Sequence, residues 1–197
     1  MGDDIGSFFR EGLHHVLIGW DHLLFAVALV LALRSFWEVF KVIGIFTVAH
    51  SLTVSLTVWH GSPLLPAHIV EPCIAASIII VALENIFFPD SAMSGRRMLV
   101  AFGFGLVHGM GLAGALLASL EGIDTGRVVR GVIAFCIGVE VGHLCIVAPA
   151  SGLLKIGRDL WQENFRKWSL IAGSALVACG GVYYLLAALG FLPSPEA

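Results

Sequence analysis

Three imidazoles and a carboxylate fall within the stretch His14-His15-Val16-Leu17-Ile18-Gly19-Trp20-Asp21-His22, at the start of an apolar run that continues to Leu33. A helix in hydrocarbon has no water at hand for such groups, so each needs a protein partner, a cavity or a cation. Histidine and aspartate supply nitrogen and anionic oxygen donors, a set that suits divalent transition metals. Further candidates stand in other apolar runs: His50, His108, and Glu140 with His143. The last two are three apart and share a helix face, the Glu-x-x-His spacing by which helical bundles chelate metals. His15 and His22 are seven apart and also share a face. On a straight helix, however, they are separated by about 10 Å along the axis, which predicts that His15 serves a separate outer station.

The elements that must position these residues are membrane-spanning helices. Of 197 residues, 58% are hydrophobic and only 13% charged, which excludes an ordinary soluble domain and predicts one integral membrane domain over 1–197. The expected fold class is all-α, a polytopic transmembrane helical bundle. Apolar runs of about 20 residues, enough to cross about 30 Å of hydrocarbon, give about six spans: 13–33, 38–60, 68–88, 97–120, 128–153 and 169–191. Gly61-Ser62-Pro63, Pro89-Asp90 and Glu121-Gly122-Ile123-Asp124 punctuate the connections. Arg34, Lys41, Arg96, Arg97, Lys155, Arg158, Arg166 and Lys167 fall on one side, against Arg10, Arg127 and Arg130 on the other. The basic side is the cytoplasmic one, so both termini are expected outside. Residues 155–168, with Trp161, Phe165 and Trp168, read as an interfacial helix. Cys73, Cys136, Cys145 and Cys179 all lie in apolar runs and read as packing residues rather than a disulfide framework. The opening Met1-Gly2-Asp3-Asp4 lacks the basic-then-apolar form of a secretory leader.

Measured from the span ends, Asp21, His22, His50, His108, Glu140 and His143 come out near the middle third, so four spans can deliver donors to one layer. His68 and Glu71, three apart at the outer end of the third span, join His14 and His15 in an outer vestibule. Glu84 and Asn85 form an inner station. Groups spaced in this way from outside to inside are what a permeation route requires. A lone histidine can instead satisfy itself on a backbone carbonyl, and His60 and His68 at the interface fit that plainer role. Gly103, Gly105, Gly109, Gly111 and Gly114 surround His108, and small residues there let helices approach closely. Gly12-Leu13-His14-His15 resembles Gly105-Leu106-Val107-His108, and Phe46 to His50 roughly matches Phe135 to Glu140, a pattern compatible with a 3+3 inverted repeat.

His15-x5-Asp21-His22 followed by Leu-Leu-Phe, Phe46-Thr-Val-Ala-His50-Ser, Val70-Glu71 with Ile74-Ala-Ala-Ser77, Glu84-Asn85, Phe102-Gly-Phe-Gly-Leu-Val-His108-Gly, and Gly138-Val-Glu140-x-Gly142 together resemble the HupE/UreJ family. The resemblance implies a small multi-pass protein of the bacterial inner membrane, associated with hydrogenase and urease maturation and similar in its first span to nickel and cobalt permeases. It implies functional roles for His15, Asp21, His22, Glu71 and Glu140.

The leading expectation is a metal-binding bundle that passes a divalent transition cation to the cytoplasm, nickel first, with zinc, copper and iron also suited to the donors. No nucleotide-binding motif is present, so an ion or proton gradient would drive it, and uptake would weaken below about pH 6.5 as imidazoles protonate. Its partners are then the metal ion and membrane lipid, not nucleic acid, and a homo-oligomer is compatible. The runner-up is an intramembrane metalloenzyme, a zinc or two-metal hydrolase holding its ion with His22, His50, His108, Glu140 and His143. A third is a metal-stabilised membrane scaffold or sensor.

Overall fold

The computed structural model describes residues 5–32, 35–88, 95–120 and 124–193, and all regular structure among them is helical. The helices are α1 (Ile5–Ile18), α2 (Trp20–Ala32), α3 (Phe36–His60), α4 (Ala67–Phe87), α5 (Gly95–Leu120) and α6 (Thr125–Ala188). Helices α3 and α4 and two sections of α6, Thr125–Gly157 and Phe165–Ala188, are each long and apolar enough to cross a membrane. A fifth crossing results if α1 and α2 are one span, broken by a bend of 66°. The 26 residues of α5 rise about 39 Å at 1.5 Å per residue. Each of the six apolar runs in the sequence thus meets a helix, in an all-α, multi-pass architecture.

Local chemistry accounts for several helix ends. Ser35 caps α3 with a capping box: its hydroxyl accepts from the Trp37 N–H at 3.3 Å, and its own N–H donates to Glu38 at 3.3 Å. Gly61 ends the same helix at φ 74°, a left-handed conformation that glycine adopts without strain. Asp124 starts α6 by accepting from the Gly126 N–H at 2.9 Å. The breaks expected at Pro89-Asp90 and Glu121-Gly122-Ile123, and the inside charge Arg34, lie outside the described residues, as do the side chains of Arg158 and Trp161.

Helical backbone runs from Thr125 to Ala188; its first membrane-length section ends at Gly157 and its second begins at Phe165, so the stretch expected at the interface joins the two. One expectation is corrected. The first span is not one straight helix over 13–33, because it divides at Gly19.

Glycines set which helices touch. A Cβ on Gly12 would fall on the Phe135 carbonyl oxygen and one on Gly138 on that of Phe9, so α1 lies backbone to backbone on the first section of α6. Likewise Gly105 meets the Phe46 carbonyl oxygen, and a Cβ on Gly109 would stand 2.5 Å from that of His50, which seats α5 on α3. One core cluster includes Phe25, Leu29, Phe46, Ile78 and Val81; a second includes Phe8, Val16, Val54, Phe135 and Val139.

The expected inner station has structural partners instead. Glu84 pairs with Arg96, whose guanidinium lies 5.5 Å from the Phe88 ring centroid. The Asn85 amide donates to the Ala28 carbonyl at 2.7 Å and to the Ser174 hydroxyl at 3.3 Å, tying α4 to α2 and to the second section of α6.

Because the α1–α6 contact leaves no room for a methyl group, Gly138→Ala should lower stability in detergent by about 1–3 kcal/mol, the usual cost of overpacking. Gly44→Ala, where a Cβ meets nothing within 4 Å, should leave the midpoint of a thermal melt near that of the parent protein. Equal melting of the two variants would contradict the close approach.

Candidate metal centre

The break at Gly19 builds the site. A Cβ there would lie 2.7 Å from the His15 carbonyl oxygen, 2.8 Å from Asp21 Oδ1 and 3.1 Å from His22 Cδ2, so only glycine fits. The backbone still hydrogen-bonds across the bend, from Gly19 N to the His15 carbonyl at 2.9 Å and from Leu23 N to the Gly19 carbonyl at 3.0 Å. Between these, the His22 N–H donates to Asp21 Oδ1 at 2.8 Å. A carboxylate in the first turn of α2 also meets the positive end of that helix's dipole.

The bend reverses the expectation for His15. Its Nε2 comes to 2.8 Å from His22 Nε2, with ring centroids 4.6 Å apart. The 10 Å separation assumed a straight helix; a 66° turn between the two residues removes it. His15 belongs to the central group.

His22 is the hub of that group. His50 from α3, His108 from α5 and His143 from α6 present ring centroids at 5.8, 5.6 and 5.3 Å from it. His143 Nε2 lies 3.3 Å from His22 Nδ1, and Thr47 Oγ1 lies 3.2 Å from His143 Nδ1. Thr47, His143, His22 and His15 therefore form one chain of hydrogen-bonding contacts across the bundle. On the other flank, Asp21 Oδ2 stands 3.9 Å from His22 Nε2 and 3.8 Å from His108 Nδ1, while His108 Nε2 lies 3.0 Å from the Ser77 hydroxyl.

Several of these atoms have no hydrogen-bond partner. Both ring nitrogens of His50 are buried without one, and so is His108 Nδ1. A buried polar group left in this state costs on the order of 1–3 kcal/mol. Among the described residues, two sets of three donor atoms come within 4.8 Å of one another: His15, His22 and His50, and Asp21, His22 and His108. Both share His22. Neutral imidazole nitrogens and a carboxylate oxygen at these separations fit a divalent transition cation, and the unprotonated ring nitrogen of His50 is what such an ion would satisfy.

Aromatic rings wall the layer. Phe46 lies 5.1–6.2 Å, centroid to centroid, from His22, His50, His108 and His143, and Phe25 lies 5.4 Å from His108. Phe135 approaches His15 from the second core cluster at 6.3 Å. The polar layer sits where the two clusters meet.

Of the residues singled out in the sequence, His15, Asp21, His22, His50, His108 and His143 come together. Glu140 is in neither set of donors; it is half-buried, with Oε2 buried and lacking a hydrogen-bond partner. Glu71, His14, His60 and His68 are exposed, and His60 bonds Ser62 at 2.8 Å. Sequence reasoning passed over Gly19, Thr47 and Ser77. A glycine between His15 and Asp21 is the signal for the first. The other two are inconspicuous hydroxyls in helices whose partners depend on tertiary packing.

A family model described as HupE / UreJ protein matches residues 1–188. No curated protein and no solved structure matches the chain.

Gly19→Ala should straighten the α1–α2 junction and separate His15 from His22. The expected outcome is at least a tenfold weaker hold on added nickel with unchanged helix content, read by metal titration and circular dichroism of the purified protein. Unaltered nickel affinity would show that the bend is not what assembles the layer.

Proposed function

This chain belongs to the HupE / UreJ family, and from that membership and the buried imidazole layer we propose that it is a transition-metal permease of the bacterial inner membrane. Its cargo is a divalent cation, nickel first, passed toward the cytoplasm to supply enzyme maturation of the hydrogenase or urease kind. The observation that carries the reading is His50, fully buried with neither ring nitrogen hydrogen-bonded, beside the His15 and His22 pair. Such a residue has no structural use for its polarity; a cation gives it one.

Within this reading His15, His22 and His50 hold the cation in one position, and Asp21, His22 and His108 in a second. His22 is common to both, so an ion can change partners without being released from all of them. His143 orients His22 through the 3.3 Å nitrogen contact, with Thr47 behind it. Division of binding among overlapping sets keeps each weak enough to let go.

Helix pairing supports the transport reading. Gly12 of α1 meets the Phe135 carbonyl on α6, and Gly105 of α5 meets that of Phe46 on α3. These are the positions that the two weak sequence matches equate: Gly12 with Gly105, His15 with His108, Phe46 with Phe135. The paired histidines flank His22 at 4.6 and 5.6 Å. A cargo site between inverted repeats is the plan by which many carriers alternate access. With α5 counted as a sixth crossing beside the other five, positive charge on the inner loops leaves both termini on the outer side.

Two observations favour a second reading, a metal retained as a structural or catalytic centre. Phe46 and Phe25 close the layer on one side, and the inner acid Glu84 is paired with Arg96. Nickel uptake into vesicles reconstituted with the untagged protein separates the two. Saturable uptake is expected, with most of it lost in His22→Ala and none in Cys179→Ser. Glu140→Ala tests whether the half-buried carboxylate beside the layer is also needed, and its loss of uptake is expected as well. Metal that stays bound at one or two equivalents through a chelator wash, with no uptake, would establish the retained centre instead.

A further inference from the structure

The hydroxyl oxygen of Ser77 on α4 touches two polar atoms, one on its own helix and one on α5. It stands 2.7 Å from the Ile74 carbonyl, which can only accept, so the single hydroxyl proton is committed there. It also stands 3.0 Å from His108 Nε2. Without a second proton, the oxygen can only accept from the ring. His108 therefore carries its proton on Nε2, and in the neutral ring Nδ1 is a bare lone pair. That Nδ1 is buried, has no hydrogen-bond partner, and lies 3.8 Å from Asp21 Oδ2. Two acceptors thus face each other with no donor between them.

We infer that Ser77 is a positioning residue, which fixes the tautomer of His108 so that Nδ1 points a free electron pair, together with Asp21, at the cation. The inference rests on the proposed role of this layer in binding a metal ion. The opposite tautomer would require Ser77 to donate to Nε2, leaving two acceptors 2.7 Å apart at Ile74. Its Nδ1–H would then point at a carboxylate oxygen 3.8 Å away, beyond hydrogen-bonding range. Ser77 and His108 are both almost wholly buried, so water does not compete for either contact. Ligating histidines are commonly held in this way by the hydrogen bond of their second nitrogen.

The test begins with metal-free protein labelled with 15N-histidine in detergent micelles, its His108 signals identified by their loss in His108→Gln. Ring nitrogen–proton correlations distinguish the tautomers without any metal. The parent protein should show His108 protonated on Nε2. Ser77→Ala should mix the tautomers and weaken nickel binding by about 10–100-fold, while Ser77→Thr, which keeps the hydroxyl, should preserve both properties. A proton on Nδ1 in the parent overturns the inference, and so does Ser77→Ala with unchanged tautomer and affinity. Should Ser77→Ala fail to fold, the parent spectrum and Ser77→Thr still decide. Tight nickel binding unaffected by Ser77→Ala removes the positioning role and leaves the proposed function standing. A parent protein that binds no nickel, with His108 protonated on Nε2, removes the proposed function instead.

Discussion

A shortage of protons governs the centre of this molecule. Five clustered imidazoles bring one N–H each when neutral, and Asp21 brings none, so the layer holds more lone pairs than hydrogens to fill them. Ser77 absorbs the His108 proton, and the chain through Thr47, His143, His22 and His15 shares out others. His50 is left with no partner at all. In water this imbalance would cost nothing. In the interior of a membrane helix bundle each unmet group costs about 1–3 kcal/mol, and a positive ion is the simplest species that satisfies several acceptors together. The rest of the structure keeps these groups close and dry despite their cost.

Closeness comes from glycine. Rings on α3 and α5 can meet rings on α2 only if the helix axes approach until backbone touches backbone, and Gly105 and Gly109 permit this on one side as Gly12 and Gly138 do on the other. Gly19 plays a different part. It permits a bend that folds His15 over His22, and the bend frees the His22 N–H for Asp21. A methyl group at Gly19 meets both the His15 carbonyl and the Asp21 carboxylate, so one residue couples backbone direction to the placing of two donor side chains. Dryness comes from Phe25, Phe46 and Phe135, which cover the rings where the two apolar clusters meet.

The helical fold and much of the polar layer were legible in the sequence because both follow from one-dimensional rules. Apolar run length gives the helices, and distance from a run's end gives depth, which brought His22, His50, His108 and His143 to one level. Depth says nothing of direction around the helix axis or of bends. Glu140 has the right depth and spacing yet joins neither donor set, and His15 seemed remote because a straight helix was assumed. Glu84 and Asn85 looked like a polar station, but their partners Arg96, Ala28 and Ser174 come from other helices. No spacing rule reveals such contacts. Ser77 shows the same limit at the level of a single proton, since its commitment to Ile74 is local while its consequence for His108 depends on how α4 meets α5.

Phe25 and Phe46 pack against each other beside the layer, with ring centroids 4.7 Å apart. Phe46 makes two kinds of contact at once. Its carbonyl oxygen is the atom against which Gly105 packs, and its ring touches four of the histidines. Phe46 thus joins the cover of the layer to the α3–α5 seam: its backbone sets how closely the two helices approach, while its ring lies over His22, His50, His108 and His143. One residue therefore couples helix approach to the shielding of the donors, as Gly19 couples backbone direction to their placing.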